Sequence, residues 1–350
     1  MRRILSFFCL IIISGALYGC AAGEKESREE TADCASKTIF AMDTVMTLEA
    51  YGENAAEAVE LAADEIYRIE DELSAEDENS DIFFLNRDKE AEVGEDAFYL
   101  IDYSRKISDA TDGCFDITVY PTVKLWGFID DNYRVPTDDE IKKALDASGC
   151  EKIIAEKGPD GGGIVKLGEN MEITLGAIAK GYTSDRVMEI FKESGVGHAG
   201  VSLGGNTQVL GTRTDGQKWN IGIRDPEDTG DILGSVKVSD RAVITSGAYE
   251  RYFEENGKRY GHIIDPGTGY PAESGILSVS IVSGSGVLAD ALSTSLFIMG
   301  TERAEEFWRN SAYDFDFIIE DESGTVYVTE GIYDDFSSDK EVVKVTKQRI

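Results

Sequence analysis

Histidine is nearly absent from this chain: two residues, His198 and His262, in 350. Cysteine is sparse too, with five, and no CxxC pair or Cys/His cluster occurs, which argues against a zinc centre. A metal used here would take oxygen ligands and be a hard ion such as Mg2+. Basic residues are outnumbered, 34 against 67 acids, for a formal net charge of −33. Such a surface excludes non-specific nucleic-acid binding and argues against flat docking on anionic lipid heads. No GxxxxGK[ST] pattern is present, so a P-loop reading has no support. Internal repeats and low-complexity blocks are missing from the body of the chain. The apolar run Ile4 to Leu17 is too short for a comfortable membrane span.

What is there begins with that run. Arg2 and Arg3 precede it and Leu17-Tyr18-Gly19-Cys20 follows, the order of a bacterial export signal ending in a lipobox. Cleavage would leave Cys20 as a lipid-modified N-terminus; an ordinary signal or an uncleaved anchor is the plainer alternative. Each version puts the body outside the cytoplasmic membrane. Residues 20–37 are small and charged, and read as a flexible tether to a folded part at 38–350. Loss of residues 1–19, which hold two arginines and no acid, leaves a charge of −35. Cys34, Cys114 and Cys150 remain, an odd number with no close pair.

Residues 54–73 carry Ala55, Ala58, Val59, Ala62, Ile66, Ile69 and Leu73 at three- and four-residue steps, an amphipathic helix. Further helices are predicted near 95–110, 138–149, 180–193 and 289–300. Strands are predicted at 45–51 and 276–282. Hairpins are predicted about Glu169-Asn170, about Ser239-Asp240 and across 315–330. Helices fall in blocks between strand runs without βαβ alternation. The fold class is α+β, as one large domain or as two subdomains with a cleft between them.

Five segments carry polar or glycine-rich signals. In ADALSTS (289–295), Asp290 and Thr294 are four apart on one helix face, a half-site for a hard cation or simply a dipole-facing Asp and a back-bonded Thr. In LGAIAKGY (175–182), Lys180 stands at a helix start, as a phosphate clamp or a surface turn. In VSLGGNTQVLG (201–211), Gly204-Gly205 allows close backbone approach or a hairpin turn. DGCFDITVYPTVKLWGF (112–128) is the fourth. The fifth holds YGHIIDPGTGYP (260–271), where Pro266, Gly267, Gly269 and Pro271 suggest a rigid loop fixing His262 and Asp265. Histidine is the side chain best poised to take a proton near neutral pH. His198 reads as structural.

Taken in order, FAMDTVMTLEAYG (40–52), DGCFDITVYPTVKLWGF, LGAIAKGYTSDRV, GVSLGGNTQVLG, WNIGIRDP, AVITSGAYERYF, HIIDPGTGYP and ADALSTSLFIMG resemble the ApbE family of FAD:protein FMN transferases. The resemblance spans essentially the whole chain after the tether. It implies binding of FAD and Mg2+. It also implies transfer of FMN to a Thr or Ser hydroxyl of an acceptor redox protein, with release of AMP. Some relatives instead hydrolyse FAD to FMN and AMP, and a non-enzymatic flavin-binding lipoprotein is the third reading. By motif position, Ala177 (through its carbonyl), Asp290, Ser293 and Thr294 resemble metal ligands. Met42, Cys114, Phe115, Asp116, Thr174, Lys180 and Ile264 resemble the nucleotide-contacting set. His262 is the candidate base, with Asp265 orienting or replacing it, and Lys180 the fixed positive charge. Two positions depart from the family pattern: Asp43 replaces a glycine, and Glu76 replaces an aromatic after the first long helix.

Overall fold

The computed structural model describes residues 34–348. The expected export signal, Cys20 and the expected tether as far as residue 33 lie outside the described residues. Strand Cys34–Ala41 takes in four residues that composition assigns to the tether. Full pairing with Thr44–Tyr51, from Cys34 opposite Tyr51 to Ala41 opposite Thr44, supplies the backbone partners that polar side chains do not forbid.

A nine-stranded sheet organises the chain. Its spatial order is Cys34–Ala41, Thr44–Tyr51, His198–Leu203, Asn206–Leu210, Arg241–Gly247, Ile276–Ser283, Phe315–Asp321, Val326–Thr329 and Val342–Val345. Every neighbouring pair is antiparallel except the last. Alternation along the central strands feeds two cores. Ala242, Ile244, Ile281, Phe317 and Ile319 face the helices, while Val243, Val282 and Ile318 face a small sheet of Trp219–Arg224, Ile232–Val238 and Phe336–Ser337. Among the described residues eight helices accompany the sheets: α1 (Ala55–Leu73), α2 (Asp81–Asp88), α3 (Glu95–Ala110), α4 (Tyr120–Leu125), α5 (Asp138–Asp146), α6 (Ala179–Glu193), α7 (Gly286–Met299) and α8 (Thr301–Asn310). The fold is α+β as expected. Residues 34–348 form one compact unit.

The five helices expected from periodicity are all present, and 315–330 is the antiparallel pair expected. Two other expected hairpins are not. Asp240 makes the turn, with φ of 51°, but the strands it joins belong to different sheets. Asn170 likewise turns the chain at φ 61°, yet residues 171–175 form no strand. Their backbone is held by a side chain: Asn86 on α2 donates to the Ile173 carbonyl at 2.8 Å and accepts from its N–H at 2.7 Å.

Two-residue turns cluster at one end of the sheet. Met42-Asp43 joins the first two strands, and Gly204-Gly205 joins the next two. They are neighbours: a Cβ on Gly204 would stand 2.4 Å from Thr44 Oγ1. Both glycines have positive φ, so here the VSLGGN segment is a hairpin turn and needs glycine.

Candidate active site

Helix α7 is apolar almost all round and buried, so its few polar residues need partners. Asp290 is 5% exposed. Its Oδ2 accepts from the Gly181 N–H at 2.8 Å and its Oδ1 from Asn206 Nδ2 at 3.1 Å. No Lys or Arg among the described residues pairs with it within 4.0 Å. A buried carboxylate with two neutral donors keeps lone pairs free and lacks a counter-charge, which suits a cation. Thr294 is half-buried one turn on, and Ala177, half-buried, lies just before α6. Ser293 is fully buried. Its hydroxyl donates to the Asp290 carbonyl at 2.8 Å and shares a 2.7 Å bond with Ser246, which ties α7 to strand Arg241–Gly247. Among the described residues no cluster of three or more His, Cys, Asp or Glu side chains could hold an ion. The donor set is therefore one carboxylate, hydroxyls and carbonyls, fit for a hard ion that keeps waters.

α6 and α7 meet at glycines. A Cβ on Gly181 would stand 2.2 Å from the Gly286 carbonyl and 2.6 Å from Asp290 Cβ. Asp185, also on α6, accepts from the Gly286 N–H at 2.7 Å and the Val287 N–H at 3.0 Å, capping α7 from outside. Gln208 Nε2 donates to the same carboxylate at 2.8 Å.

Lys180 is half-buried and its charge acts on both Glu250 and His262. Sequence reasoning missed Glu250. The residue is exposed overall, yet desolvation around its carboxyl pushes it up to about 7, with Asp290 adding to the rise while Lys180 and Arg224 oppose it. Its Oε1 lies 4.0 Å from where a Gly205 Cβ would be. His262 is half-buried beside Phe128. Burial first, then the charges of Arg251 and Lys180, push it down to about 4. Its Nδ1 faces the Arg251 carbonyl at 3.2 Å, and its own N–H donates there at 3.0 Å.

Asp265 does not orient His262, contrary to expectation. Its carboxylate accepts from the Gly267 N–H at 2.8 Å and from Thr268 Oγ1 at 3.1 Å, and so builds the DPGTG turn. Asp116 is also committed: it accepts from Thr118 N and Oγ1 at 2.7 and 2.6 Å, and from the Cys150 N–H at 3.3 Å. Cys114 and Phe115 are buried, and Arg303 reaches the Cys114 sulfur at 3.5 Å. The side chain of Ile264 packs with Trp126, Phe128 and Ile141 in a small separate core, leaving its backbone for any nucleotide contact. Thr174 accepts from the Gly176 N–H at 3.2 Å. Cys34, Cys114 and Cys150 are unpaired.

Met42 and Asp43 both have left-handed backbone, φ 48° and 59°. That conformation costs about 1–2 kcal/mol per L-residue, less for Asp. Asp43 and Glu76 repel one another electrostatically, and Arg251 attracts Glu76. The two departures from the family pattern thus lie within electrostatic reach of each other.

Two local patterns point elsewhere and fail on context. GVSLG (200–204) spells a GxSxG motif, but Ser202 lies mid-strand opposite Thr47 and Thr207 and leads into a second strand, not a helix. GVGHAG (195–200) spells GxGxxG, but it follows a helix and opens a strand, the reverse of a dinucleotide-binding turn. Two surface concavities of about 670 Å³ lie along α1, around Leu61 and Ile190 and around Arg68 and Arg186. Neither includes Asp290, Lys180 or His262.

Comparison with known proteins bears on this arrangement. The ApbE family model matches residues 42–319. An FAD:protein FMN transferase from Treponema pallidum is 32% identical over 321 residues, 86% of each chain. One from Klebsiella pneumoniae is 34% identical over 242 residues, 68% of this chain and 74% of that one. The crystal structure of the ApbE protein from Thermotoga maritima superposes with a TM-score of 0.78 at 32% identity, covering 85% of this chain and 98% of that one. The flavin transferase ApbE from Vibrio cholerae gives 0.73 at 25% identity, covering 89% and 97%. With a family match running from the Met42 turn through the central sheet, and relatives this similar over most of both lengths, the chain belongs to the ApbE family.

Proposed function

We propose that this protein is an FAD:protein FMN transferase that uses Mg2+ and moves FMN from FAD to a Thr or Ser hydroxyl of an exported redox protein, releasing AMP. The observation that carries the reading is Asp290, a buried carboxylate with no cationic partner, close enough to Glu250 to act on it electrostatically as Lys180 also does. The names of its relatives agree with it. Asp290, Thr294 and the Ala177 carbonyl would hold the ion, with Ser293 fixing the helix that presents them. Mg2+, when bound, supplies charge neutralisation of the diphosphate.

The chain's own residues do the rest. Lys180 places fixed positive charge where the leaving phosphate develops negative charge. The acceptor oxygen bonds to the FMN phosphorus, the bond from that phosphorus to the bridging oxygen breaks, and AMP leaves with that oxygen. The hydroxyl proton passes to Nε2 of His262, whose Nδ1 is held by the Arg251 carbonyl. Purified protein with FAD, Mg2+ and a small exported flavoprotein acceptor tests this. AMP release with FMN mass added to the acceptor is the expected result. AMP with only free FMN would mark an FAD pyrophosphatase, and bound FAD without AMP a flavin-binding protein. The N-terminal sequence supports export and lipid attachment at Cys20, on the outer face of the membrane. Cys20→Ala is expected to release the protein from the membrane fraction.

A further inference from the structure

Helix α1 carries an acid that the mechanism does not use. Arg68, two residues away, is engaged by Glu65, Glu72 and Asp96, so the basic side chain nearest in sequence to Glu70 is occupied elsewhere. Glu70 instead reaches across to the first hairpin, where its Oε1 accepts the Met42 N–H at 2.6 Å, half-buried. That hairpin has only two turn residues, because Ala41 pairs directly with Thr44. Such a turn demands positive φ at both positions and favours Asn-Gly, whereas this chain has Met-Asp. Asp43 tolerates that conformation, but Met42 does not favour it. The Met42 side chain also matters to the site: its sulfur lies 3.9 Å from Thr183 Oγ1, one turn of α6 beyond Lys180, and it packs against the two cores that meet there.

We propose that Glu70 is a positioning residue for the flavin-nucleotide site: by accepting the Met42 N–H it holds the Met42-Asp43 turn left-handed, and so fixes where Met42 stands against α6. The inference rests on the transferase reading for the identity of the nucleotide. It does not rest on that reading for the state of the turn. Glu70 has no contact with substrate in this account, so its loss should appear in FAD binding rather than in the chemical step.

The test uses the whole protein and three variants. Glu70→Gln keeps an acceptor oxygen, Glu70→Leu removes it while retaining a good helix former, and Glu70→Leu with Asp43→Gly relieves the turn's need for an anchor. FAD KM and kcat for AMP release would be measured with amide hydrogen exchange at residues 40–46. Glu70→Leu is expected to raise the FAD KM by about tenfold or more, as loss of a charge-assisted hydrogen bond does, with kcat little changed and faster exchange at Met42. Glu70→Gln should stay near wild type, and the added Asp43→Gly should recover most of the KM and the protection. Unchanged exchange and KM in a folded Glu70→Leu protein would overturn the proposal, as would failure of Asp43→Gly to restore either. Wild-type protein that neither binds FAD nor releases AMP would remove the transferase reading and the flavin half of this inference. Exchange at Met42 would then still decide whether Glu70 holds the turn.

Discussion

Asp290 and His262 are single side chains on which the reading turns, and each gives a sharp expectation. Asp290→Asn keeps the shape but puts an amide where two donors already point, from Gly181 and Asn206. AMP release should fall by about 10²–10³, the loss seen when a preorganised electrostatic group is removed. A Mg2+ titration checks it, since added ion should not restore the rate. His262 has its pKa lowered to about 4 by burial and by Arg251. It therefore stays a neutral base across the range in which an ordinary histidine charges. The acid limb of kcat/KM should lie near pH 4 if His262 takes the proton. A limb near 7 would instead implicate Glu250, which sits at about 7. The same shift has a stability sign. Between pH 6.5 and 4 the unfolded chain binds a proton at this position that the folded chain does not. Stability is unaffected above that window and falls as pH drops through it, so wild type should lose more Tm between pH 7 and 5 than His262→Gln. At this scale the sequence made part of the site legible. Asp290 and Thr294 share a helix face by spacing alone, and Lys180 stands at a helix start. Glu250, Glu70 and Arg251 were not legible, because their neighbours come from other strands and helices. Asp265 was expected to orient His262 because an acid beside histidine and an acid that builds its own turn look alike in one dimension.

Elements place those side chains, and the α6–α7 contact is the one that can least afford change. Gly181→Ala sets a methyl 2.2 Å from the Gly286 carbonyl, backbone that cannot swing aside. Overpacking of this kind costs about 1–3 kcal/mol, and the shift falls on Asp290, whose Oδ2 is bonded to the Gly181 N–H. Chemical denaturation and a Mg2+ titration on the same variant should therefore both move, the second as weaker ion dependence. Helices were readable because their period is local: α1 shows Ala58, Ala62, Ile66 and Ile69 on one buried face. Turns were readable too, since Asn170 and Asp240 both adopt positive φ where turn residues suggested it. What strands pair with was not. Ile232–Val238 and Arg241–Gly247 join through a tight turn, but the first pairs back onto Trp219–Arg224 and the second with Asn206–Leu210 and Ile276–Ser283, on opposite sides of one core. The Glu169-Asn170 segment lost its second strand to Asn86, whose amide completes the Ile173 backbone bonds from 87 residues away.

At the scale of the whole molecule the dominant quantity is charge, −33 against a site whose cations include Lys180, Arg224 and Arg251. FAD carries a diphosphate, so the long-range field of the protein repels the nucleotide while the local cations attract it. The two act over different distances, and salt separates them. At about 0.15 M ionic strength the Debye length is about 8 Å, which screens distant surface acids more than groups inside a binding site. Association of FAD should therefore quicken as salt rises from low values, the reverse of the usual behaviour of an anion entering a basic pocket. A protein acceptor with a basic rim around its hydroxyl would respond in the opposite sense, its on-rate falling by about tenfold or more over the same range. An acidic acceptor would behave as FAD does. Measuring the two second-order rates against ionic strength thus reports the charge of the acceptor's docking face before the acceptor is known. If neither rate depends on salt, surface charge has no part in selecting the partner, and docking must be set by short-range contacts around the Met42 turn and the His262 loop.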